Sequence, residues 1–314
     1  MKRNIIHILA CLLALSSCHK QDQQDHPARA IDFGTMGTKA GVTAETIGAA
    51  GSAFIVRGAF TQSGTSYTLF DGTTVTSDGT EWTYSPVQYW AVSSSYKFRA
   101  VWPADAFTGT GAASYTDDLG TNGAQIAGFT VSSSPDAQKD LLISNLATAT
   151  TDGTGAPTPE KVNLNFQHIL SDVQIQVKVE DAGEEIILKS IELSGMQGSG
   201  SYAYAATAYA WTPSGTAQTY SKDLTSLPAL TASFPTDPQC ELLMIPQTLT
   251  GGMAIKLVYS IGGTDTTVNL KTADGTSWEI GKKYIYQITI ATAKIEFTAK
   301  VVDWVDGSTI TLTK

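Results

Sequence analysis

Along most of the chain apolar and polar side chains alternate at period two. The alternation is broken about every ten residues by Gly, Asp, Asn or Pro, the pattern of short half-buried strands joined by turns. Phe54, Val56, Gly58 and Phe60 share one face of a predicted strand, and Tyr96, Phe98, Ala100 and Trp102 share one face of another that stops at Pro103. Met253, Ile255, Leu257, Tyr259 and Ile261 alternate without interruption into Gly262 and Gly263, with Thr266, Val268 and Leu270 beyond. This predicts a hairpin closed by a tight turn. Trp278, Ile280, Tyr284, Tyr286, Ile288 and Ile290 hold even phase, and Ile295, Phe297, Ala299 and Val301 hold odd phase. A slip of one residue would turn each buried face to water, so each register is specified by its own pattern. Helical periodicity is almost absent, and the chain reads as all-β.

Residues 148–161, TATTDGTGAPTPEK, carry no apolar side chain larger than Ala apart from Pro157 and Pro159, and predict a linker or a long interdomain loop. After it Val162, Leu164 and Phe166 hold even phase, whereas Val173, Ile175, Val177 and Val179 hold odd phase, so a bulge or break is expected near Leu170 to Asp172. A domain boundary close to residue 160 follows, with an N-terminal β-sandwich over 30–160 and a C-terminal one over 161–314.

The N-terminus departs from this pattern. Lys2 and Arg3 precede an apolar run from Ile5 to Leu15, 11 residues where a bilayer span needs roughly 20. Leu15-Ser16-Ser17-Cys18 then gives the spacing of a lipoprotein processing site, so residues 1–17 are expected to be a signal peptide and Cys18 the lipidated first residue of the mature chain. His19, not Asp, follows the lipid, which directs the expectation to the outer membrane. Residues 18–29 form a polar, flexible tether.

Removing the signal leaves 314 − 17 = 297 residues, enough for about two domains. It also removes two of the 20 basic residues and none of the 29 acidic ones, so the mature net charge is 18 − 29 = −11, a poor match for nucleic acid. Cys11 leaves with the signal and Cys18 carries lipid, which leaves Cys240 alone in the folded part and no intrachain disulfide.

Candidate chemistry is sparse. His168 is the single histidine beyond the tether and shares the phase of Leu164 and Phe166, which makes it a buried core histidine before a catalytic base. Cys240, beside Leu242 and Leu243, reads as an inert buried thiol. Asp117 and Asp118 read as a solvated turn, a weak calcium contact being the alternative. The stretch GMQGSGSY at 195–202 follows a strand but has neither the spacing of a dinucleotide fingerprint nor a helix after it, and reads as a β-turn. No catalytic, cofactor or metal residues are expected. Trp82, Tyr84, Tyr89 and Trp90 fall close together, and they are either core or an exposed sugar platform.

The strings WTYSPVQYW, SYKFRAVWP, DLLISN, NFQHILSDV, LLMIPQTL, WEIGKKYIYQITI and VVDW, in this order after a lipoprotein signal, resemble the fimbrillin family, the subunits of type V pili. The resemblance covers residues 30 to 314 and implies two tandem transthyretin-like β-sandwich domains. It also implies a route of assembly. The lipoprotein reaches the surface, a protease removes the lipid-bearing segment with the first strand, and a strand of another subunit fills the open groove. Carried onto this chain, the displaced strand is Ala30 to Gly34 with Ile31 and Phe33 as its inward residues, and the cut falls at Lys39–Ala40. Here the sequence departs from the family, whose best-known maturing protease prefers Arg at that position. Either a Lys-tolerant protease acts, or this subunit keeps its lipid as an anchor or tip component.

The implied donor is the C-terminal segment, with Ile295, Phe297, Val301, Ile310 and Leu312 alternating, or that segment is an ordinary last strand of its own domain. The implied partners are other pilin subunits, the outer membrane through the lipid on Cys18, and a host or bacterial surface ligand. The alternative from another class is a glycan-binding lipoprotein of a polysaccharide-uptake system, using Trp82, Tyr84 or Trp90.

Overall fold

A computed structural model of the chain describes residues 28–36, 47–120, 123–181, 183, 185–205, 208–291, 295–304 and 309–312. Almost all of its regular structure is β. The first half carries β1 (Phe33–Met36), β2 (Ala53–Gln62), β3 (Thr65–Ser77), β4 (Trp82–Thr83), β5 (Ser94–Trp102), β6 (Ser114–Asp117), β7 (Ala124–Thr130), β8 (Leu142–Ser144), β9 (Ala147–Thr151) and β10 (Pro157–Thr158). Next come β11 (Val162–His168), β12 (Ser171–Val179), β13 (Ile186–Ala205), β14 (Ala208–Asp223), β15 (Cys240–Met244) and β16 (Thr248–Leu249). The chain closes with β17 (Ala254–Ile261), β18 (Thr264–Lys271), β19 (Thr276–Ser277), β20 (Lys282–Ile290), β21 (Ile295–Asp303) and β22 (Thr309–Leu312).

These strands make an all-β sandwich architecture around two apolar cores. Nine strands form one sheet in the order β1-β11-β8-β5-β2-β3-β4, with β9 also beside β5 and β10 beside β9. This sheet curls on itself: the ring of Phe33, on the edge strand β1, lies 5.6 Å from that of Phe70 on the distant β3. The enclosed core is aromatic, built from Phe54, Phe70, Tyr96, Phe98 and Phe166. Gly58 is required there, because a Cβ at that position would lie 2.7 Å from Phe98 and 2.9 Å from Phe70.

The second core lies between a five-stranded sheet, β15-β12-β20-β21-β22, and a six-stranded one running β18-β17-β13-β7-β6 with β14 on the other edge of β13. Val173, Ile175, Val177 and Val179 point into it, as do Tyr284, Tyr286, Ile288 and Ile290, and Ile255, Leu257 and Tyr259 meet them from the facing sheet. The β17–β18 hairpin closes through Gly262 and Gly263 at φ +55° and +82°, conformations that a two-residue turn of this hand requires.

The break expected near Leu170 is present and has a larger consequence than a bulge. β11 ends at His168 in the curled sheet and β12 begins at Ser171 in the five-stranded sheet, so the change of phase is a change of sheet. The curled sheet therefore continues past residue 160 through β11. The β6–β7 hairpin crosses the other way: β7 pairs with β13, Ile126 opposite Tyr202. Ile55, Val101 and Ile143, on the outer face of the curled sheet, pack into the second core, which gives β2 and β5 burial on both faces at that end.

Three expectations are corrected. Residues 148–161 do not run as a free linker: β9 pairs with β5, Ala149 opposite Tyr96 and Ala147 opposite Phe98, and β10 folds back on β9. Small side chains are what the large aromatics across from them leave room for. The stretch GMQGSGSY lies inside the 20-residue β13, with register shifts after Ser194 and after Gln197. Its glycines serve bulges and close approach: Gly195 takes φ +100°, and a Cβ on Gly198 would lie 2.3 Å from the Tyr220 hydroxyl. Asp117 is not a solvated turn residue, for the reason given below.

Candidate functional site

The N-terminal segment around β1 is a short strand at the edge of the curled sheet. Arg29 to Met36 runs between two rims. On one side Ile31 N–H donates to Gln88 O at 2.9 Å, Trp90 N–H donates to Arg29 O at 3.0 Å, and Ala30 forms an antiparallel bridge with Tyr89. On the other, β1 pairs in parallel with β11, Phe33 opposite Val162 and Thr35 opposite Leu164, and Val162 N–H donates to Asp32 O at 2.9 Å. Tyr84 secures the middle, its hydroxyl donating to Ile31 O at 2.7 Å. Without this segment, β11 and the 88–90 stretch would face each other as two unpaired rims, the arrangement that accepts an added strand.

The side chains match the backbone. Ile31 and Phe33 are 1% and 4% exposed, while Asp32 between them faces out. Phe33 meets Phe54, Phe70, Tyr84 and Phe98 edge-on, with ring centroids 5.7, 5.6, 5.7 and 6.1 Å away. Edge-to-face geometry at these separations is the favoured one for aromatic pairs. Val162, Leu164 and Phe166 of β11 line the same core. Gly34 opposes Asn163 at close quarters: a Cβ on it would lie 2.9 Å from the Asn163 side-chain oxygen. The first strand thus reads as a short plug with two apolar residues in pockets.

The other expected site residues fall as follows. Cys18, Lys39 and Ala40 lie outside the described residues. Ile295, Phe297 and Val301 sit on β21, which pairs along its whole length with β20 and carries β22 on its other edge, Val301 opposite Ile310 and Ala299 opposite Leu312. Phe297 stacks on Tyr286 at 5.8 Å. Here β21 is an interior strand, and β22, at the sheet edge, is the part of this segment whose departure would disturb least.

Of the four clustered aromatics, Tyr89 is exposed and the other three face inward. Trp90 is buried, with its ring 4.6 Å from that of Tyr96, Trp82 leans on Phe54 at 4.7 Å, and Tyr84 packs on Phe33 and Phe70. Trp82, Tyr84 and Trp90 are half-buried or buried, and make no exposed coplanar pair of the kind a sugar platform needs. The sequence left this choice open because alternation alone does not say which face of a strand meets a core.

His168 is buried, 2% exposed, its Nδ1 2.5 Å from Asp140 Oδ2 and its ring stacked 3.8 Å from that of Trp304. Burial holds the Asp140 carboxyl above its ordinary 3.8, with His168 opposing the rise. Cys240 is 2% exposed, and burial pushes its thiol up to about 12, so it is no nucleophile near neutral pH. Among the described residues no three His, Cys, Asp or Glu side chains cluster as metal ligands would.

Asp117 is engaged by Arg99, which enters from β5. Arg99 Nη1 donates to Asp117 Oδ2 at 2.9 Å, with the two side chains 4% and 0% exposed, and the Tyr115 hydroxyl donates to the same oxygen at 3.2 Å. The guanidinium also lies 4.6 Å over the ring of Tyr204. The sequence could not show this, since Arg99 and Asp117 meet only because β6–β7 crosses to the other sheet.

Comparison with known proteins shows the family and the fold. The family model described as fimbrillin-like matches residues 38–304. No curated protein matches. Among solved structures, a fimbrial protein from Bacteroides vulgatus superimposes with TM-score 0.59 at 18% identity, over 88% of this chain and 99% of its own. A candidate cell adhesion protein from Bacteroides uniformis gives 0.55 at 19% identity, over 90% and 100%. One from Bacteroides ovatus gives 0.52 at 14% identity, over 90% and 99%. At these identities the likeness is one of fold.

Proposed function

The chain belongs to the fimbrillin-like family, and from that premise we propose that it is a subunit, or an accessory or anchor component, of a type V pilus assembled by strand exchange for cell adhesion. In this reading it is exported as a lipoprotein held at the outer membrane through Cys18. It then passes into the pilus, where its partners are other pilin subunits and a host or bacterial surface ligand.

The observation that carries the reading is the plug. Arg29–Met36 holds to the rest of the protein through main-chain hydrogen bonds to two rims and through Ile31 and Phe33 in the aromatic core. A cut at Lys39–Ala40 would leave these contacts noncovalent. Loss of the segment would expose Val162, Leu164 and Phe166 with the unpaired edge of β11, a surface that a strand with alternate apolar residues fills. The donor that costs least to free is β22, whose Ile310 and Leu312 have the same spacing as Ile31 and Phe33.

The test is a chain that starts at Ala40, mixed with a synthetic peptide of residues 306–314. Saturable binding, and competition by a peptide of residues 28–36, is the expected result. A stable monomer that takes up neither peptide would overturn the mechanism. The membrane step is tested separately: Cys18→Ala should move the protein from membrane to soluble fractions, and unchanged partition would refute the lipid anchor.

A further inference from the structure

A second feature lies outside the plug, on the outer face of the five-stranded sheet. β12 and β20 run parallel, with Asp172 directly opposite Lys283. The inward residues of this pair, Val173 with Tyr284 and Ile175 with Tyr286, are apolar and buried. The outward row is polar and yet mostly buried: Asp172 is 1% exposed, Gln174 6% and Gln176 7%. Lys283 Nζ lies 3.0 Å from Asp172 Oδ2, with the Lys283 side chain 23% exposed. Gln174 Nε2 donates at 2.9 Å to Asp172 Oδ2 and at 2.9 Å to Glu241 Oε1, so a second carboxylate stands beside the pair.

One atom in this cluster is anomalous. Asp172 Oδ1 is buried and no donor reaches it, although leaving such an oxygen unpaired is costly when it is charged; the Glu241 carboxyl pairs with the Asp172 carboxyl only once one of the two is protonated. A fixed ion pair would be expected to satisfy both oxygens. The arrangement fits a carboxyl group poised to lose one oxygen.

We propose that Lys283 and Asp172 condense to an intramolecular amide, with Glu241 carrying the protons. Transfer of one proton within the ion pair gives the free amine and the carboxylic acid. Burial favours this, since both products are neutral; it holds the Asp172 carboxyl up at about 7, with the like charge of Glu241 adding to the rise and Lys283 opposing it. Nζ then attacks Cγ and forms the N–Cγ bond. A proton passes from nitrogen through Glu241 to Oδ1, the Cγ–Oδ1 bond breaks with its electron pair on oxygen, and water leaves.

The ammonium gives up two hydrogens and the carboxylate one oxygen, so one water is released and nothing is oxidised or reduced. Oδ2 remains as the amide carbonyl and keeps the Gln174 hydrogen bond, while the oxygen that had no partner is the one lost. Holding the groups at 3.0 Å in a fixed register supplies the proximity that an unassisted condensation in water lacks. The product ties two neighbouring parallel strands together covalently, so that β12 and β20 cannot part under a pull along the sheet.

The test is peptide mapping of the full chain purified from its cells. Trypsin would otherwise release residues 162–178 and cut after Lys283. The amide blocks that cut and joins 162–178 to 283–294 in a branched peptide lighter by one water than the sum of its two parts. The branched peptide is the expected result, absent in Lys283→Arg, which keeps the charge pair, and reduced at least tenfold in Glu241→Gln. Full recovery of linear 162–178 and 284–294 from the folded wild-type protein would overturn the proposal. A wild-type yield of branch in Glu241→Gln would overturn the role given to Glu241.

Discussion

Replacing Phe33 by Ala should release the first strand without melting the protein. The ring is 4% exposed and touches four aromatic neighbours, a setting in which truncating Phe to Ala costs about 3–5 kcal/mol. What remains to hold the segment is Ile31, with its own burial, and main-chain hydrogen bonds each worth roughly 0.5–1.5 kcal/mol net. Because β1 has only four residues and lies at a sheet edge, the cheapest response is for the segment to open locally.

Hydrogen exchange read on peptides spanning 84–92 and 162–168 should then speed up by about two to three and a half powers of ten, at 1.4 kcal/mol per tenfold. The amides of Trp90 and Val162, which donate to Arg29 and Asp32, should lead. Peptides from β13 and β17, which line the other core, should exchange as in the wild type. Uniform acceleration across both cores would show that the strand is an integral part of the fold, and unchanged exchange at Val162 would show that Phe33 does not hold it. Either result refutes the plug.

Asp117→Ala should cost about 3–5 kcal/mol in urea unfolding, because it leaves the Arg99 charge buried and uncompensated; a loss below about 1 kcal/mol would contradict that burial. Replacing both members with apolar residues of similar volume should recover most of the loss. Cys240, with its thiol pushed up to about 12, should resist a thiol reagent at pH 8 in the native protein and react once in denaturant, and fast native labelling would show that the site is open. Asp140 has a folded pKa above its ordinary 3.8, so the native state binds that proton more tightly than the unfolded chain does. Its contribution is therefore fully present below 3.8 and is lost as pH rises through the raised value. Melting curves of the wild type should lose ground to Asp140→Asn across that acid range, and parallel curves would exclude the effect.

Strand phase was written plainly in the chain. Phe54 and Val56, Tyr96 and Phe98, Ile255 to Tyr259 and Tyr284 to Ile290 all face the cores that their alternation predicts, because a period of two leaves one choice of inward face per strand. Ile31 and Phe33 were legible as an inward pair for the same reason. The break at Leu170 was also legible, though what it separates was not.

Only the tertiary structure decided where each strand goes. Alternation names a buried face but no neighbour, so the sequence could not place β6–β7 beside β13, seat β9 against the rings of Tyr96 and Phe98, or keep β11 in the curled sheet beyond residue 160. Gly195 and Gly198 looked like a turn because flexible backbone is common to turns and bulges, and the partner strand β14 settles which. Pairings of residues distant in sequence, Arg99 with Asp117 and Lys283 with Asp172, exist only once two strands from different parts of the chain are side by side. The same holds for the plug. Composition supplied its two apolar residues, and the fold supplied the two rims that hold it with main-chain hydrogen bonds, which leave no mark in the sequence.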